Sequence, residues 1–120
     1  MDPLLVMKFG GTSMGSAERM KIAGEITAAE RARGPVAIVV SAMSKITDLL
    51  IATLRAAEEG DRETVRENIR AVEKRHLDTC RELLPENRQE SVAASIRALV
   101  EEFDRLAQGT DLIHSSLGQI

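Results

Sequence analysis

The sequence predicts an α/β fold in which a strand–helix–strand unit is followed by three helices. Two short apolar runs, residues 3–9 and 36–42, are typical of strands in a parallel sheet. A helical pattern separates them, and after Ser44 the apolar residues again recur every three or four positions. These observations favour a βαβ unit at the start of the chain and a helical segment after it.

The first strand of this unit, "PLLVMKF", has the continuous apolar character of a strand buried on both faces. Ser16 is a suitable N-cap for the helix that follows, and the pair Gly34 and Pro35 ends that helix. The second strand, "VAIVVSA", is short and β-branched. The apolar stripe of the helix consists of Met20, Ile22, Ala23, Ile26 and Ala29.

Three further helices are predicted, with turn signals between them. The first follows Ser44 and ends at Gly60, and the second begins after the N-cap Asp61 and ends at Pro85. Asn87 and Glu90 are interpreted as a capping-box-like pair for the last helix, which is predicted to close at Gly109. The short connection between the last two helices predicts antiparallel packing. Their apolar stripes are interpreted as core seams, and a coiled-coil partner is the alternative.

The composition narrows the classes of function. The 120 residues include two Phe and neither Trp nor Tyr, so aromatic platforms for single-stranded nucleic acid are missing. A net charge of -3 without a basic block gives no footprint for nucleic-acid backbones. Cys80 has no second cysteine to pair with, no signal peptide is recognised, and the apolar runs are shorter than the ~20 residues that span a bilayer. We therefore expect a soluble, cytoplasmic protein without nucleic-acid or membrane partners.

His76 and Cys80 lie one turn apart on the stripe of the third predicted helix. Two such residues without further ligands at suitable spacing make a weak metal site, so we interpret them as a packed pair and predict no protein-bound metal there. His114 is left without an assigned place.

A lysine, paired glycines and two hydroxyl residues meet where the first strand ends. Gly10 and Gly11 would let an anion approach the converging backbone amides, Lys8 could bring a positive charge, and Thr12 and Ser13 add hydroxyl donors. This pattern is typical of a phosphate cradle. Spacing alone leaves open the alternative that the glycines only form a tight turn and that the lysine is a surface charge.

Two well-known phosphate motifs do not fit this loop. The dinucleotide motif G-x-G-x-x-G is absent, since the glycines stand at Gly10, Gly11 and Gly15. The Walker loop requires a lysine where Ser16 stands. In this chain the lysine precedes the glycines.

That order resembles the opening of aspartate kinases, members of the amino acid kinase superfamily, in which a strand ends in K-F-G-G-T-S. "VMKFGGTSMGS" (6–16) contains the whole hexapeptide, and "VVSAMSKITDLL" (39–50) is similar to a second stretch of the same enzymes. The resemblance implies an α/β/α sandwich. It also implies the reaction of ATP and L-aspartate, with Mg²⁺, to ADP and 4-phospho-L-aspartate, the first step toward lysine, threonine and methionine.

The same resemblance implies roles for individual residues. Lys8 would be the catalytic lysine at the β- and γ-phosphates. Ser41 and Thr47 match residues that contact aspartate, although a strand-ending cap and a bond within the helix are the alternatives. Lys45 and Asp48 are given no role. The phosphate-binding set comprises Lys8, Gly10, Gly11, Thr12 and Ser13.

The chain is shorter than aspartate kinases, and its tail "TDLIHSSLGQI" ends without a closing element. We therefore expect residues 1–120 to be the N-terminal portion of the catalytic domain, without its remainder or the ACT regulatory region, and inactive alone. Two alternatives remain: another kinase of the superfamily, or a non-catalytic helical dimerisation fragment. Since two strands and one helix leave apolar faces uncovered, we expect a homo-oligomer.

Overall fold

The computed structural model describes residues 3–118, which form two units, Met1–Ile46 and Thr47–Ile120. Two parallel strands and the helix between them make up the first unit, and the later helices make up the second, which confirms the predicted α/β class and element order. In chain order the elements are β1 (Leu5–Phe9), α1 (Ala17–Arg31), β2 (Val36–Val40), α2 (Ile46–Glu58), α3 (Arg62–Leu83) and α4 (Glu86–Gly118).

β1 and β2 pair in parallel, as the βαβ pattern predicts. The register places Lys8 opposite Val39 and Phe9 opposite Val40. The ladder continues past the end of β2, because the amide of Ser41 donates to the carbonyl of Phe9 over 3.1 Å. Since parallel strands end at the same edge of a sheet, the two segments that follow these strands start from one edge.

α1 begins at the predicted N-cap. The Oγ of Ser16 accepts a hydrogen bond from the amide of Arg19 over 3.2 Å, which satisfies one of the free amides of the first turn. The helix ends at Arg31, and the amides of Arg33 and Gly34 bond back to the carbonyl of Glu30. The predicted stop at Gly34 is therefore close to the observed one.

α1 lies over only one face of the strand pair. Ala23 and Thr27 of α1 line a hollow together with Phe9, Ile38 and Val40, whose side chains share that face. The opposite face carries Val6, Lys8 and Val39, and Val6 is 60% exposed. The prediction that the first strand is buried on both faces is therefore wrong for this unit, because one helix cannot cover two faces.

α2 packs through small side chains in the helical unit. Ala56, Ala57 and Thr53 are buried, and the Oγ1 of Thr53 donates to the carbonyl of Leu49 over 2.7 Å, so its hydroxyl has a partner. Gly60 ends the helix region with a φ of 76°, a left-handed conformation that favours glycine. The stop predicted at this glycine is confirmed.

α3 begins after Asp61, as predicted. The carboxylate of Asp61 accepts hydrogen bonds from the side chain and the amide of Thr64, and these bonds lower the pKa of Asp61. Cys80 is buried, and the Nδ1 of the half-buried His76 lies 2.7 Å from the carbonyl of Val72. Both residues are thus part of the helix packing. The side chain of His114 lies outside the described residues.

α3 and α4 pack against each other across a short connection, which confirms the predicted helical hairpin. The side chain of Gln89 holds the turn, since its Nε2 donates to the carbonyls of Arg81 and Leu84 over 3.2 and 2.9 Å. These bonds satisfy carbonyls that the end of α3 leaves free. Within residues 3–118, no helix is both long and apolar enough to span a bilayer.

Both predicted ends of the last helix are wrong. α4 begins at Glu86, so Asn87 and Glu90 lie inside it rather than at its cap. Pro85 directly precedes the helix and accepts the amide of Arg88 over 2.9 Å, because a proline suits the start of a helix. At the other end, Gly109 lies within the helix, which continues to Gly118. A single glycine costs about 1 kcal/mol there, too little to end a long helix.

Candidate functional site

The candidate site lies at the edge where β1 and β2 end. Two segments leave this edge: residues 10–16, called here the glycine loop, and residues 41–45, called here the serine loop. Both belong to the first unit. Open α/β sheets bind ligands in the crevice beyond the carboxyl ends of their strands, so this edge is where the fold alone would place a ligand.

The glycine loop is held by its own backbone. The amide of Met14 bonds to the carbonyls of Gly10 and Gly11 over 3.0 and 3.2 Å, and the amide of Gly15 bonds to the carbonyl of Thr12 over 3.2 Å. Met14 itself is buried. The loop is therefore a compact turn that leads directly into the cap of α1.

Three consecutive amides of the glycine loop are free. Among residues 3–118, none accepts a hydrogen bond from the backbone N–H of Gly11, Thr12 or Ser13. Backbone amides almost always find an acceptor unless they face solvent or a ligand. Neighbouring free amides before a helix are suited to binding an anion. The phosphate cradle expected from the sequence stays a prediction.

The two loops lie against each other. A Cβ built on Gly11 would be 3.7 Å from the Oγ of Ser41 and 3.7 Å from the Cα of Ser44. A Cβ on Gly15 would be 3.2 Å from the carbonyl oxygen of Thr12 and 3.5 Å from the Cβ of Ser44. Gly15 has no role predicted from the sequence. Among the glycines of the glycine loop, it is the one where an added Cβ would make the shortest contact.

Gly10 differs from the other glycines of the loop. A Cβ there would meet no atom of the described residues within 4 Å, so packing does not require glycine at this position. The open space lies beside the free amides of the loop. A glycine there keeps that space clear for a bound group.

Lys8 is the penultimate residue of β1, and its side chain is exposed on the sheet face opposite α1. It forms no hydrogen bond or ion pair with residues 3–118. Ser41 continues the same face, because it stands two positions after Val39, the register partner of Lys8. The structure therefore brings the predicted lysine and the first predicted aspartate contact to one face.

The hydroxyl residues take different positions. The Oγ of Ser41 donates to the carbonyl of Ala42 over 2.8 Å and is otherwise exposed. Thr12 is exposed, and Ser13 is half-buried beside a hollow along α1. Thr47, the second residue of α2, is exposed and belongs to the helical unit. Within the first unit, Lys8 and Ser41 share one sheet face and Gly11 lies against Ser41, whereas Ser13 lies on the α1 side. A common site for Lys8, Gly10, Gly11, Thr12, Ser13 and Ser41 stays a prediction.

Lys45 in the serine loop has an unusual backbone. Its φ is 69°, and it is the one non-glycine residue with a positive φ among residues 3–118. The left-handed conformation costs such a residue roughly 1–2 kcal/mol. The sequence does not reveal this positive φ, because lysine is not among the residues that favour a left-handed conformation.

The electrostatic character of the edge suits an anion. Residues 3–17 and 32–47, which include both strands and both loops, contain no Asp or Glu, and the lysines Lys8 and Lys45 lie near the carboxyl ends of β1 and β2. Within residues 3–118 no group of His, Cys, Asp and Glu could hold a metal ion. The edge therefore offers positive charge and amides, and it lacks the carboxylate oxygens that Mg²⁺ prefers.

Comparison with known families defines the class of this protein. A family model described as "Amino acid kinase family" matches residues 3–110, which include both strands, both loops and most of the helical unit. The chain belongs to the amino acid kinase family.

Similar curated proteins include aspartokinases from a bacterium and a plant. The chain is 46% identical over 57 residues to Aspartokinase 2 of Bacillus subtilis (strain 168), which covers 47% of this chain and 14% of that protein. It is 38% identical over 106 residues to the chloroplastic Aspartokinase 1 of Arabidopsis thaliana, which covers 87% of this chain and 17% of that protein. These matches confirm the resemblance read from the two motifs. The chain spans less than a fifth of the length of either relative.

Proposed function

We propose that the chain forms the phosphate-binding edge of an aspartate kinase, as the N-terminal portion of the catalytic domain in a cytoplasmic enzyme. The reaction transfers the γ-phosphoryl group of ATP to the side-chain carboxylate of L-aspartate. It yields ADP and 4-phospho-L-aspartate, the first step toward lysine, threonine and methionine. The observation that carries the proposal is that the amides of Gly11, Thr12 and Ser13, which follow the strand of Lys8, have no acceptor among residues 3–118, where Lys8 has no partner either.

The phosphate-binding side of the site uses charge and backbone donors. The amides of the glycine loop would bind phosphate oxygens, with Gly10 and Gly11 admitting the group closely and Thr12 and Ser13 adding hydroxyl donors. Lys8 would stabilise negative charge on the γ-phosphoryl group during transfer, when the bond between this group and ADP breaks and a bond to the aspartate carboxylate forms. Phosphoryl transfer depends mostly on such positioning and charge stabilisation, so these groups suit it.

The acceptor side of the site uses the serine loop of the first unit. Ser41 shares the sheet face of Lys8 and lies beside Gly11, so a substrate held by its hydroxyl would be close to the bound phosphates. To do this, Ser41 must exchange its bond to the carbonyl of Ala42 for one to the substrate. Thr47 is the second proposed contact to aspartate.

The resemblance implies Mg²⁺, but the described residues do not fit this ion. Mg²⁺ is bound through carboxylates and phosphates, and both loops lack carboxylates. We therefore assign no residue of this chain to the metal. The steps assigned to this chain are phosphate binding, charge stabilisation and acceptor positioning.

The proposed activity is tested with the full-length protein that contains this sequence. The protein is incubated with ATP·Mg²⁺ and hydroxylamine, which traps an acyl phosphate as a hydroxamate, in the presence of aspartate, glutamate or a nucleoside monophosphate. Hydroxamate that forms with aspartate, and not with glutamate or the nucleotide, supports the proposal. ATP consumption only with glutamate or with the nucleotide would instead support the alternative, another kinase of the same family.

We also propose that the chain associates with a second copy. One observation favours this: Val92, Leu99 and Leu106 recur every seven residues along α4 and are 38%, 66% and 64% exposed. Seven-residue spacing keeps side chains on one side of a helix, so these three residues form an apolar stripe along α4. This stripe could serve an enzyme subunit or a non-catalytic dimerisation fragment, and the hydroxamate assay separates the two.

A further inference from the structure

We propose that the apolar stripe of α4 binds the same stripe of a second copy in an antiparallel arrangement, in which Arg88 of one copy pairs with Glu102 of the other. The proposal deepens the association proposed above by giving the residues of the contact and the orientation of the two helices. It rests on that association and not on the reaction. Three features of α4 support it.

The first feature is a second row of exposed side chains beside the apolar stripe. Arg88, Ser95 and Glu102 recur every seven residues, as the residues of the stripe do. Each of the three stands three or four positions from a residue of the stripe, so the two rows occupy the a and d positions of a heptad pattern. Rows in these positions form the seam along which one helix packs on another.

The second feature is the order of the charges along this seam. Arg88 and Glu102 stand seven positions before and after Ser95, about 10 Å to either side along the helix axis. A two-fold axis through Ser95, at right angles to the helix, brings Arg88 of each copy beside Glu102 of the other. A parallel pair in register would instead place like charges opposite each other. The charges therefore favour the antiparallel arrangement and oppose the parallel one.

The third feature is that both charges lack a partner in their own chain. Neither the guanidinium of Arg88 nor the carboxylate of Glu102 forms an ion pair or a hydrogen bond within the described part of the chain. No Asp or Glu stands three or four positions from Arg88, and Arg105, three positions after Glu102, does not contact it. Pairing between two copies therefore breaks no ion pair within either copy.

A second copy is the partner that this surface fits. A contact across a two-fold axis uses the same patch on both sides, so the patch must be complementary to itself. The seam meets this condition, because Val92 and Leu99 lie between a positive end and a negative end. Ser95 is small, so the two helices can approach closely at the axis and bury Val92 and Leu99 while the charges stay at the rim.

The orientation is tested by disulfide cross-linking of the full-length protein that contains this sequence. Ser95→Cys places a thiol at the proposed axis, so oxidation should link two copies. Leu106→Cys is the matched control, because in the antiparallel pair its two positions would be roughly 33 Å apart by the helical rise, beyond the reach of a disulfide. The wild type, oxidised in parallel, gives the background from native cysteines, of which Cys80 is buried.

The ion pairs are tested by charge reversal in the Ser95→Cys protein. Arg88→Glu or Glu102→Arg alone places like charges together at two symmetry-related contacts, so we expect cross-linking to slow about tenfold. The double variant exchanges the charges and should restore the rate. Arg97→Glu and Glu101→Arg make the same changes of charge at exposed positions of α4 outside the seam and should leave the rate within roughly twofold. Thermal unfolding of each variant monitors the fold.

The outcomes separate this contact from the association on which it rests. Equal cross-linking of Ser95→Cys and Leu106→Cys would show a parallel pair and overturn the proposal. If Ser95→Cys stays unlinked while light scattering reports a dimer, the association stands through another surface and this contact fails. A monomer would overturn both, and so would a Ser95→Cys thiol that the rest of the full-length chain shields from a maleimide reagent. If Arg88→Glu and Glu102→Arg behave like their controls, the charges are solvated and the proposed ion pairs are wrong.

Discussion

Lys8 and Ser41 lie far apart in the chain but on one face of the strand pair, because parallel pairing places Lys8 opposite Val39. Gly11 then brings the glycine loop against Ser41, with 3.7 Å between the Oγ and the place of a Cβ. The residue types and their order were readable from the sequence. The free amides and the left-handed Lys45 were not, since both depend on how the backbone turns after each strand.

The role of Lys8 is tested by Lys8→Ala in the full-length protein. We expect kcat for hydroxamate formation to fall roughly 10²-fold or more, the scale on which removing one preorganised transition-state donor acts. KM for aspartate should change much less. Lys21→Ala, which removes an exposed lysine of α1, is the matched control and should behave like the wild type. An unchanged kcat in Lys8→Ala would eliminate the catalytic role.

The acceptor contacts are tested by Ser41→Ala and Thr47→Ala. Both should raise KM for aspartate with less effect on kcat, because the contacts are made to the ground state and the transition state alike. Ser95→Ala removes a hydroxyl on α4 that bonds only to the carbonyl of Ser91 and serves as the control. Steady-state kinetics with each substrate varied in turn give the result. A change in KM for ATP alone would contradict the assignment.

At the scale of elements, local signals located most helices and strands. Ser16 and Asp61 cap the helices that they were predicted to cap, and Gly60 ends α2 with a positive φ. The predictions from Asn87 and Gly109 were wrong, because both residues lie inside α4. A residue that favours a helix end does not end a helix that neighbouring packing stabilises on both sides of it. Packing of α4 against α3 outweighs such weak preferences.

The observed course of α4 leads to a prediction for Gly109→Ala. Since Gly109 is inside the helix and a Cβ there would meet no atom of the described residues within 4 Å, alanine should stabilise the protein by about 0.5–1 kcal/mol. Gly24→Ala in α1, which has equally open surroundings, should behave in the same way. Chemical denaturation measures both. A loss of stability in Gly109→Ala alone would indicate that this glycine ends the helix after all.

At the scale of the whole molecule, burial was the least predictable property. The apolar strands "LVMKF" and "VAIVV" read as buried, yet Val6, Ile38 and Val40 are each more than half exposed. Periodicity records the environment for which a segment is suited, whereas burial depends on which other elements are present to cover it. The chain matches less than a fifth of its relatives' length, and its strand faces have the composition of surfaces that another layer covers.

Uncovered apolar surface of this kind predicts association of the 120-residue chain. We expect light scattering on the purified chain to report a dimer or a higher oligomer. If the stripe of Val92, Leu99 and Leu106 is the contact, Leu99→Glu should shift the population toward monomer, because a carboxylate cannot be buried without a partner. Ala98→Glu, at a neighbouring exposed position of α4, is the control for added charge. If Leu99→Glu leaves the oligomer intact, the strand faces become the contact, and Val6→Lys tests them. A monodisperse 13.1 kDa monomer with cooperative unfolding would show that the chain completes its own core and would contradict the prediction.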